Sequence, residues 1–268
     1  MPTRDVLEAG TGAARPAVSA TKPNIARIHD YLLGGKDNFA ADREVAERLL
    51  QACPLLPVRA RENRLFQARA VRWIAGQGIR QFLDIGPGLP AAQNTHQVAQ
   101  AADPACRVAY VDHDPVVVSH ARARMSASGV TAVESDLRDP AAAISHPGTA
   151  GLITPGEPLC LILGMVLHFF EAHTVSEIMK AIVRSIAPGS YVVITVGSGD
   201  RHTGAGLARA YTAATLHNHE AGQVARFFDG LELVSPGLAD AGNWEPLGAA
   251  RPPAGTGWRV LAGVGRKS

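Results

Sequence analysis

The chain has 268 residues, of which 46% are hydrophobic and 19% are charged, and its formal net charge at pH 7 is +2. This composition is typical of a globular protein able to bury a full core, and α/β chains of this length commonly form a single domain. No stretch approaches the ~18 apolar residues of a membrane helix, and the small net charge gives no reason to expect nucleic acid as a partner.

The first 22 residues are rich in alanine, glycine, threonine and proline and lack the apolar centre of a signal peptide. We expect residues 1–22 to form a disordered tail and residues 23–268 to form a single cytoplasmic domain. The three cysteines, Cys53, Cys106 and Cys160, are widely spaced. That spacing indicates buried, reduced thiols and gives no sign of a structural metal site.

Three helices are predicted ahead of the first strand. The first places Ile25, Ile28 and Leu32 on one face. Asp37 or Asn38 is placed to cap the second. The predicted helices span residues 24–33, about 38–51 and about 58–75, all within an N-terminal helical cap of residues 23–80.

From residue 81 onward, apolar runs alternate with helical segments, which predicts a mostly parallel sheet with helices on both faces. The predicted strands are residues 82–85, 107–112, 130–134, 159–163, 191–197, 231–234 and 258–264, with helices at 91–102, 115–128 and 174–186. Residues 236–257 are rich in glycine and proline and fit no helix, so the last two strands should pair antiparallel. The predicted fold class is α/β: a Rossmann-like, seven-stranded, mostly parallel sheet with a terminal antiparallel strand pair in residues 81–268.

The turn after the first predicted strand has the composition of a ligand-binding loop. Gly86-x-Gly88-x-x-Ala91 fits the dinucleotide-binding pattern. Asp84, however, lies two residues before Gly86, where a carboxylate repels phosphate and attracts a cation. S-adenosylmethionine carries an ammonium group and a sulfonium but no phosphate, so Asp84 favours that ligand. The alternative is that Asp84 caps the following helix.

Two further acids follow the ends of neighbouring strands, at the edge where doubly wound sheets bind ligands. Asp112 ends the second strand and is placed to hold both ribose hydroxyls of a bound nucleoside. A helix cap is the alternative role for Asp112, although Asp114 fits that role better. Asp136 follows the third strand, and an exposed loop acid is the alternative interpretation there.

Four stretches of the chain resemble the class I S-adenosylmethionine-dependent methyltransferases. In chain order they are residues 82–88 (FLDIGPG), 110–115 (YVDHDP), 134–137 (ESDL) and 165–169 (MVLHF). More narrowly, the chain from about Lys22 to its end resembles a bacterial S-adenosyl methyltransferase family formerly catalogued as a domain of unknown function. The stretches that carry this narrower resemblance are residues 26–38, 62–64, 86–96 and 263–267.

The resemblance implies S-adenosyl-L-methionine as the cofactor and implies its contacts. The family usually has a threonine after the loop proline where this chain has Pro90-Ala91, so one hydroxyl is lost at that position. The implied contacts are Asp84, Gly86, Pro87 and Gly88 for the methionine part, Asp112 for the ribose, His113, Asp136 and Leu137 for the adenine, and the backbone of Leu163 and Gly164 for the amino group.

Methyl transfer needs a general base only when the acceptor must lose a proton as it attacks. His168 is the candidate base, because it leaves the fourth strand toward the cleft and an unperturbed histidine titrates near neutrality. The alternative for His168 is a packed polar residue beneath Phe169-Phe170. Asp200 and His202, in the loop after the fifth strand, also lie near the expected acceptor site, although exposed loop polarity explains them equally well.

Residues 24–38 carry more polar and aromatic side chains than a packing helix needs, and Gly34-Gly35 lets the chain bend there. We expect this segment to lie over the carboxyl ends of the strands as a lid, with Tyr31, Asp37 and Asn38 facing cofactor or acceptor. The alternative is an amphipathic helix docked by its apolar face, with the polar face in water.

The sequence therefore predicts an S-adenosylmethionine-dependent methyltransferase that acts on an unidentified small-molecule acceptor by in-line transfer, with no nucleic acid or membrane partner. Two alternatives are an NAD(P)-dependent oxidoreductase, supported by the literal glycine pattern, and a cofactor-binding protein without turnover. No metal is expected, because the histidines have no metal-binding spacing, and the pair His217 and His219 indicates a solvated turn.

Overall fold

The computed structural model describes residues 19–125, 127–249 and 257–268. Residues 1–18, which make up most of the predicted tail, lie outside the described residues. The helices in the described residues are α1 (Ile25–Leu32), α2 (Ala40–Ala52), α3 (Leu56–Gly76), α4 (Thr95–Ala102), α5 (Pro115–Arg124), α6 (Pro140–Ile144), α7 (Ala172–Ser185), α8 (Arg201–Ala210) and α9 (Ala221–Arg226). The strands are β1 (Gln81–Ile85), β2 (Arg107–Asp112), β3 (Val130–Glu134), β4 (Cys160–Gly164), β5 (Tyr191–Ser198), β6 (Glu232–Leu233), β7 (Ala239–Asp240) and β8 (Arg259–Arg266).

The strands form one sheet in the order β3-β2-β1-β4-β5-β8-β6, and β7 also pairs with β8. Neighbours among β1 to β5 are parallel, whereas β8 is antiparallel to β5, β6 and β7. The predicted mostly parallel α/β sheet with antiparallel strands at its end is confirmed. The described sheet has eight strands rather than seven, because the two-residue β7 lies in a stretch whose glycines and prolines hid it.

The order of the strands reverses at β1, since β2 and β3 lie on one side of it and β4 and β5 on the other. Phe82 enters one apolar cluster of the core while Leu83 and Ile85 enter another, as expected when both faces of a parallel sheet are covered. Doubly wound sheets bind ligands in the crevice beyond the carboxyl ends of the strands at such a reversal. The topology therefore places a crevice beside the end of β1.

The connection after β5 is helical, although the sequence predicted a loop. Asp200 caps α8 by accepting hydrogen bonds from the N–H and the hydroxyl of Thr203 at 2.9 and 2.8 Å. The helix contains Gly204 and Gly206, and glycine lowers helix propensity enough to obscure the pattern. The placement of His202 in a loop is therefore wrong, whereas Asp200 lies just before the helix as its N-cap.

The start of α2 also differs from the prediction. Phe39, rather than Asp37 or Asn38, precedes its first residue. Asp37 forms an ion pair with Arg124, and Asn38 donates a 2.9 Å hydrogen bond to Asp30. Both predicted capping side chains are thus engaged by tertiary partners that no local pattern reveals.

Asp42 fixes α1 to α2 and is fully buried. Its carboxylate accepts hydrogen bonds from the backbone N–H of Asn24 and of Phe39, each at 2.8 Å. It also forms a 2.7 Å ion pair with Nε of Arg27, which is buried too. One carboxylate thus holds the beginnings of both helices and sets where α1 lies.

Cys53, Cys106 and Cys160 are buried and free, as predicted. Across the three described ranges, none of the helices is both long enough and apolar enough to cross a membrane.

We predict that Asp42→Ala lowers the free energy of unfolding by about 3–5 kcal/mol, the range for removing one partner of a buried ion pair. The cause is that Arg27 stays buried without its counter-ion and two N–H groups lose their acceptor. Urea unfolding followed by circular dichroism measures the loss. Glu44→Ala, which removes an exposed acid from the same helix, is the control and should lie within about 0.5 kcal/mol of wild type. Equal losses for the two variants would contradict the prediction.

Candidate active site

A cavity of about 490 Å³ lies at the carboxyl ends of the parallel strands, within the size range of small-molecule sites. The turns that follow β1 to β4 line one side of it. Residues of α1, α3 and α8 line the other side. The sheet and the helical cap therefore enclose the cavity together.

Asp84 lines the cavity at the end of β1, although it is only 3% exposed. Its Oδ2 accepts a 2.6 Å hydrogen bond from Oγ1 of Thr95. Burial raises the pKa of Asp84 to about 6, against the opposing effects of this hydrogen bond and of the positive charge of Arg64. Asn94, not Asp84, caps α4, so the helix-cap interpretation of Asp84 is wrong. At pH 7 the carboxylate of Asp84 is ionised in the interior of the protein.

The turns after β1 and β4 bring bare backbone to the cavity. Gly86 has φ of +70°, a conformation that favours glycine, and a Cβ there would collide with Cγ1 of Val166. Gly164 is constrained by packing, because its Cβ would collide with Nε2 of Gln67. Pro87 and Gly88 also line the cavity, so the glycine turn borders it throughout.

Asp112, His113 and Asp114 follow one another at the end of β2, and all three line the cavity. Oδ1 of Asp112 accepts a 2.9 Å hydrogen bond from the N–H of Asp114, and no hydrogen bond between described residues occupies its Oδ2. Asp114 caps α5 through a 2.8 Å hydrogen bond from the N–H of Val116, as predicted. A hydrogen bond to Asp112 raises the pKa of His113. Asp112 is therefore free of the capping role and retains one carboxylate oxygen for a ligand.

Asp136 and Leu137 line the cavity after β3. Arg138 binds the carboxylate of Asp136 through its side chain, with Nε 3.0 Å from each oxygen, and this bond lowers the pKa of Asp136. Leu137 is buried and presents apolar surface. A ligand at this end of the cavity would contact the side chain of Leu137 and a carboxylate whose charge is offset by Arg138.

Leu163 is fully buried within β4 and does not line the cavity, whereas Gly164 beside it does. Met165 follows with φ of +59°. This conformation is strained for a residue other than glycine, and such strain is typical of functional sites. Its N–H is 3.1 Å from the backbone oxygen and 3.0 Å from Oγ1 of Thr195. The Thr195 hydroxyl donates in turn to Oδ1 of Asn63 at 2.7 Å. This network holds the turn after β4 in place.

His168 lies in the short 3₁₀ turn Leu167–Phe169 and lines the cavity with only 4% of its surface exposed. Its Nδ1 is buried and has no hydrogen-bond partner among the described residues. Burial lowers the pKa of His168 to about 3, and the neighbouring His219, His29 and His217 add to the effect. The ring is therefore neutral at pH 7 and does not titrate near neutrality as an exposed histidine does, because it is removed from water.

Several predicted contacts lie away from the cavity. Tyr31 donates its hydroxyl to Glu47 instead. The first helix does border the cavity, as expected, but through Asn24, Ile28 and His29. Absent from the lining are Tyr31, Asp37, Asn38, Asp200 and His202.

The cavity-lining residues that sequence reasoning did not assign to the site include His29, Arg64, Tyr211 and Trp258. Arg64 belongs to the stretch of residues 62–64 that resembles the methyltransferase family, and that resemblance was the available signal, because α3 carries four other arginines. Tyr211 and Trp258 come from distant parts of the chain, and no spacing relates them to the strand ends.

The prediction of a solvated turn is wrong for His219, which is buried and has Nε2 3.1 Å from the backbone oxygen of Phe170. Within the described residues there is no group of three or more His, Cys, Asp or Glu that could hold a metal ion.

The cavity fits S-adenosylmethionine on its own chemistry. A buried, ionised Asp84 is stabilised by a cation and repels a diphosphate, the glycine turn admits a ligand close to the backbone, and Asp112 offers a carboxylate oxygen without a described partner at the end of β2. This fold and this site define a class I S-adenosylmethionine-dependent methyltransferase.

Comparisons with known proteins agree with this class. A family profile described as S-adenosyl methyltransferase matches residues 11–268. A candidate methyltransferase from Thermobifida fusca, known from a crystal structure, is 37% identical with a TM-score of 0.83, over 92% of this chain and 96% of that chain. A DUF574 family protein from Streptomyces avermitilis is 32% identical with a TM-score of 0.83, over 92% of this chain and 98% of that chain.

The chain belongs to the S-adenosyl methyltransferase family. It is an S-adenosylmethionine-dependent methyltransferase, and the comparisons give no support to the oxidoreductase alternative. A search of curated proteins found no match.

We predict that Asp84→Asn stabilises the ligand-free protein at about pH 7.5 but not at about pH 4. The folded pKa of about 6 lies above the ordinary value of 3.8, so the folded state binds more protons than the unfolded state between these values. The stability that Asp84 contributes is therefore present below pH 3.8 and is lost as pH rises through 6.

Chemical denaturation of wild type and variant at the two pH values measures the effect. From pH 4 to pH 7.5, the free energy of unfolding of the variant relative to wild type should increase by on the order of 2 kcal/mol. Asp229→Asn, at an exposed position, is the matched control and should show no such shift. A difference between Asp84→Asn and wild type that does not change with pH would refute the prediction.

Proposed function

We propose that this methyltransferase acts on a small-molecule acceptor inside the cavity, by in-line transfer of the methyl group. The observation that carries the proposal is the cavity itself, since about 490 Å³ must hold both cofactor and acceptor. When bound, S-adenosylmethionine supplies an electrophilic methyl group on a sulfonium. The protein's contribution is to align the reactants, and such positioning can be worth about 7–11 kcal/mol.

We assign the cofactor to the sheet side of the cavity. Asp84 would pair with its positively charged end, and Gly86 and Gly88 would let that end approach the backbone. Asp112 would accept hydrogen bonds from the ribose hydroxyls through the oxygen that no described residue occupies. The region bordered by His113, Asp136 and Leu137 would receive the adenine.

Leu163 and Gly164 were expected to present backbone to the cofactor amino group. Gly164 borders the cavity and Leu163 does not, so we retain this role for Gly164. We add Arg64, whose charge is close enough to Asp84 to lower its pKa. The methionine part of the cofactor carries a carboxylate beside its ammonium group. This carboxylate needs a cation as its partner, and Arg64 would supply it.

The first helix covers this site in the proposal. Asn24 lines the cavity and donates a hydrogen bond to Asp114, which ties the start of α1 to the end of β2. His29 lines the cavity from the same helix. Excluding water at the reacting centre strengthens the electrostatic interactions inside it, so we propose that α1 acts as the cover that the sequence predicted.

His168 would orient the acceptor rather than store a proton. Its pKa of about 3 keeps the ring neutral throughout the physiological range. Turnover should therefore not fall through titration of His168 between about pH 5 and pH 8.

A cytoplasmic location stays a prediction from the sequence.

We predict that Asp112→Ala weakens the binding of S-adenosylhomocysteine by about 1.5–3 kcal/mol, the range for hydrogen bonds that involve a charged group. Calorimetric titration at pH 7.5 measures the change, with thermal unfolding as the check on folding. Asp229→Ala serves as the exposed-acid control and should bind like wild type. Wild-type affinity in a folded Asp112→Ala protein would remove Asp112 from the cofactor site.

A further inference from the structure

The helical side of the cavity differs chemically from the sheet side. Part of its wall is built from aliphatic and aromatic side chains that belong to one hydrophobic cluster. We call this surface the apolar wall: Ile28, Leu32, Leu49, Leu207, Tyr211 and Leu216.

Charge in the cavity is concentrated on the side of the strand ends. The acids that line it follow β1, β2 and β3, and Arg138 follows β3 as well. Arg64 stands on α3 and acts on Asp84. Among the described residues that α2, α8 and the segment 211–216 contribute to the lining, none carries a charge.

One polar side chain beside the apolar wall lacks a partner. His168 is 4% exposed, and its Nδ1 has no hydrogen bond within the described part of the chain. Its ring packs against Phe169 at a centroid distance of 4.4 Å, and Phe169 packs against Tyr211 at 5.6 Å. Burying a polar group without a partner costs about 1–3 kcal/mol, and the small exposed part of this ring lines the cavity.

The backbone around His168 is held in place from outside the cavity. The N–H of His217 donates to the backbone oxygen of His168 at 2.8 Å, and Nε2 of His219 lies 3.1 Å from the backbone oxygen of Phe170. His219 is fixed in turn, because Ser198 donates to its backbone oxygen at 2.7 Å. The backbone position of His168 is therefore set before any ligand arrives.

We propose that the apolar wall and His168 form the acceptor subsite, and that the acceptor is an uncharged, largely apolar alcohol or phenol whose hydroxyl bonds to the His168 ring. The proposal rests on the proposed function, which places the cofactor on the sheet side.

The hydroxyl follows from the properties of a neutral imidazole. Such a ring has one donor and one acceptor nitrogen, and a hydroxyl can pair with either. A carboxylate or an ammonium group would enter an apolar surface without a counter-ion, which is costly. The wall suits a ring or chain of carbon atoms, and a single hydroxyl suits the neutral imidazole beside it.

The reaction then balances without another reactant. An oxygen lone pair forms the new bond to the methyl carbon while the carbon–sulfur bond breaks and its electron pair stays on sulfur. The hydroxyl proton passes to solvent water as the carbon–oxygen bond forms, while the His168 ring holds the hydroxyl in place. A weak base suffices for this step, because the oxygen becomes a much stronger acid as it is alkylated.

The first test uses wild-type protein saturated with S-adenosylhomocysteine and three probes of one shape. These are 2-naphthol, 2-fluoronaphthalene, which lacks the hydroxyl, and 2-naphthoate, which is charged. Calorimetry should show 2-naphthol binding about tenfold more tightly than 2-fluoronaphthalene (~1.4 kcal/mol) and more tightly than 2-naphthoate. Tighter binding of 2-naphthoate would mean that Arg64 serves an anionic acceptor, and it would overturn the proposal.

The second test assigns the hydroxyl preference to His168. His168→Leu should reduce the affinity ratio of 2-naphthol to 2-fluoronaphthalene to about one and leave S-adenosylhomocysteine affinity within about twofold. His168→Gln, which keeps a hydrogen-bonding group, should retain part of the ratio. The matched control is His173→Leu, which removes an exposed histidine on α7 and should keep the full ratio.

A folded His168→Leu protein that still prefers the hydroxyl overturns the proposal, and so does failure of 2-naphthol to bind wild type. If the leucine variant does not fold, the ranking of the three probes on wild type decides. The proposed function fails separately, because it requires S-adenosylhomocysteine to bind the wild-type protein before any probe is added.

Discussion

Burying the carboxylate of Asp84 at the end of β1 costs free energy, because an ion removed from water loses its hydration. The raised pKa of about 6 expresses that cost. One hydrogen bond from Thr95 and the field of Arg64 offset only part of it. In the proposed site, S-adenosylmethionine would bring positive charge to that position. The buried charge favours S-adenosylmethionine over a dinucleotide at a glycine turn that both could occupy.

The rest of the molecule keeps that charge away from water. Apolar strands flank β1 on both sides, and Asp84 lines the cavity at the carboxyl ends of the strands. Asp42 fixes α1 against α2, and α1 lies over the same edge. The helical cap then adds an apolar surface opposite the strand ends. The two sides of the cavity thus differ in polarity as cofactor and acceptor differ.

The sheet was predictable because its strands are apolar runs, and a buried strand is specified locally. β1 to β5 follow those runs within about a residue, and the acids at their ends follow from the topology. β7 was not predictable, because its two residues pair only through the position of β8. Asp114 could be assigned as the cap of α5 from sequence, since its bond to Val116 is local.

The helical side of the site was less predictable, because its residues meet only through tertiary packing. Tyr31 and His29 are two positions apart on one helix, and their sequence does not tell which of them faces the cavity. The low pKa of His168 likewise depends on burial by distant segments, and a sequence gives only the ordinary value. Arg64 carries no local sign that its charge acts on Asp84.

The most direct test of this account is the proton balance when S-adenosylhomocysteine binds. Calorimetric titrations at about pH 6, in two buffers with different ionisation enthalpies, measure the protons exchanged. The ammonium group of the ligand should lower the pKa of Asp84, so binding should release up to about half a proton per site. Asp84→Asn should abolish that release. Proton uptake, or an unchanged release in the variant, would contradict the claim that Asp84 carries the charge that the cofactor completes.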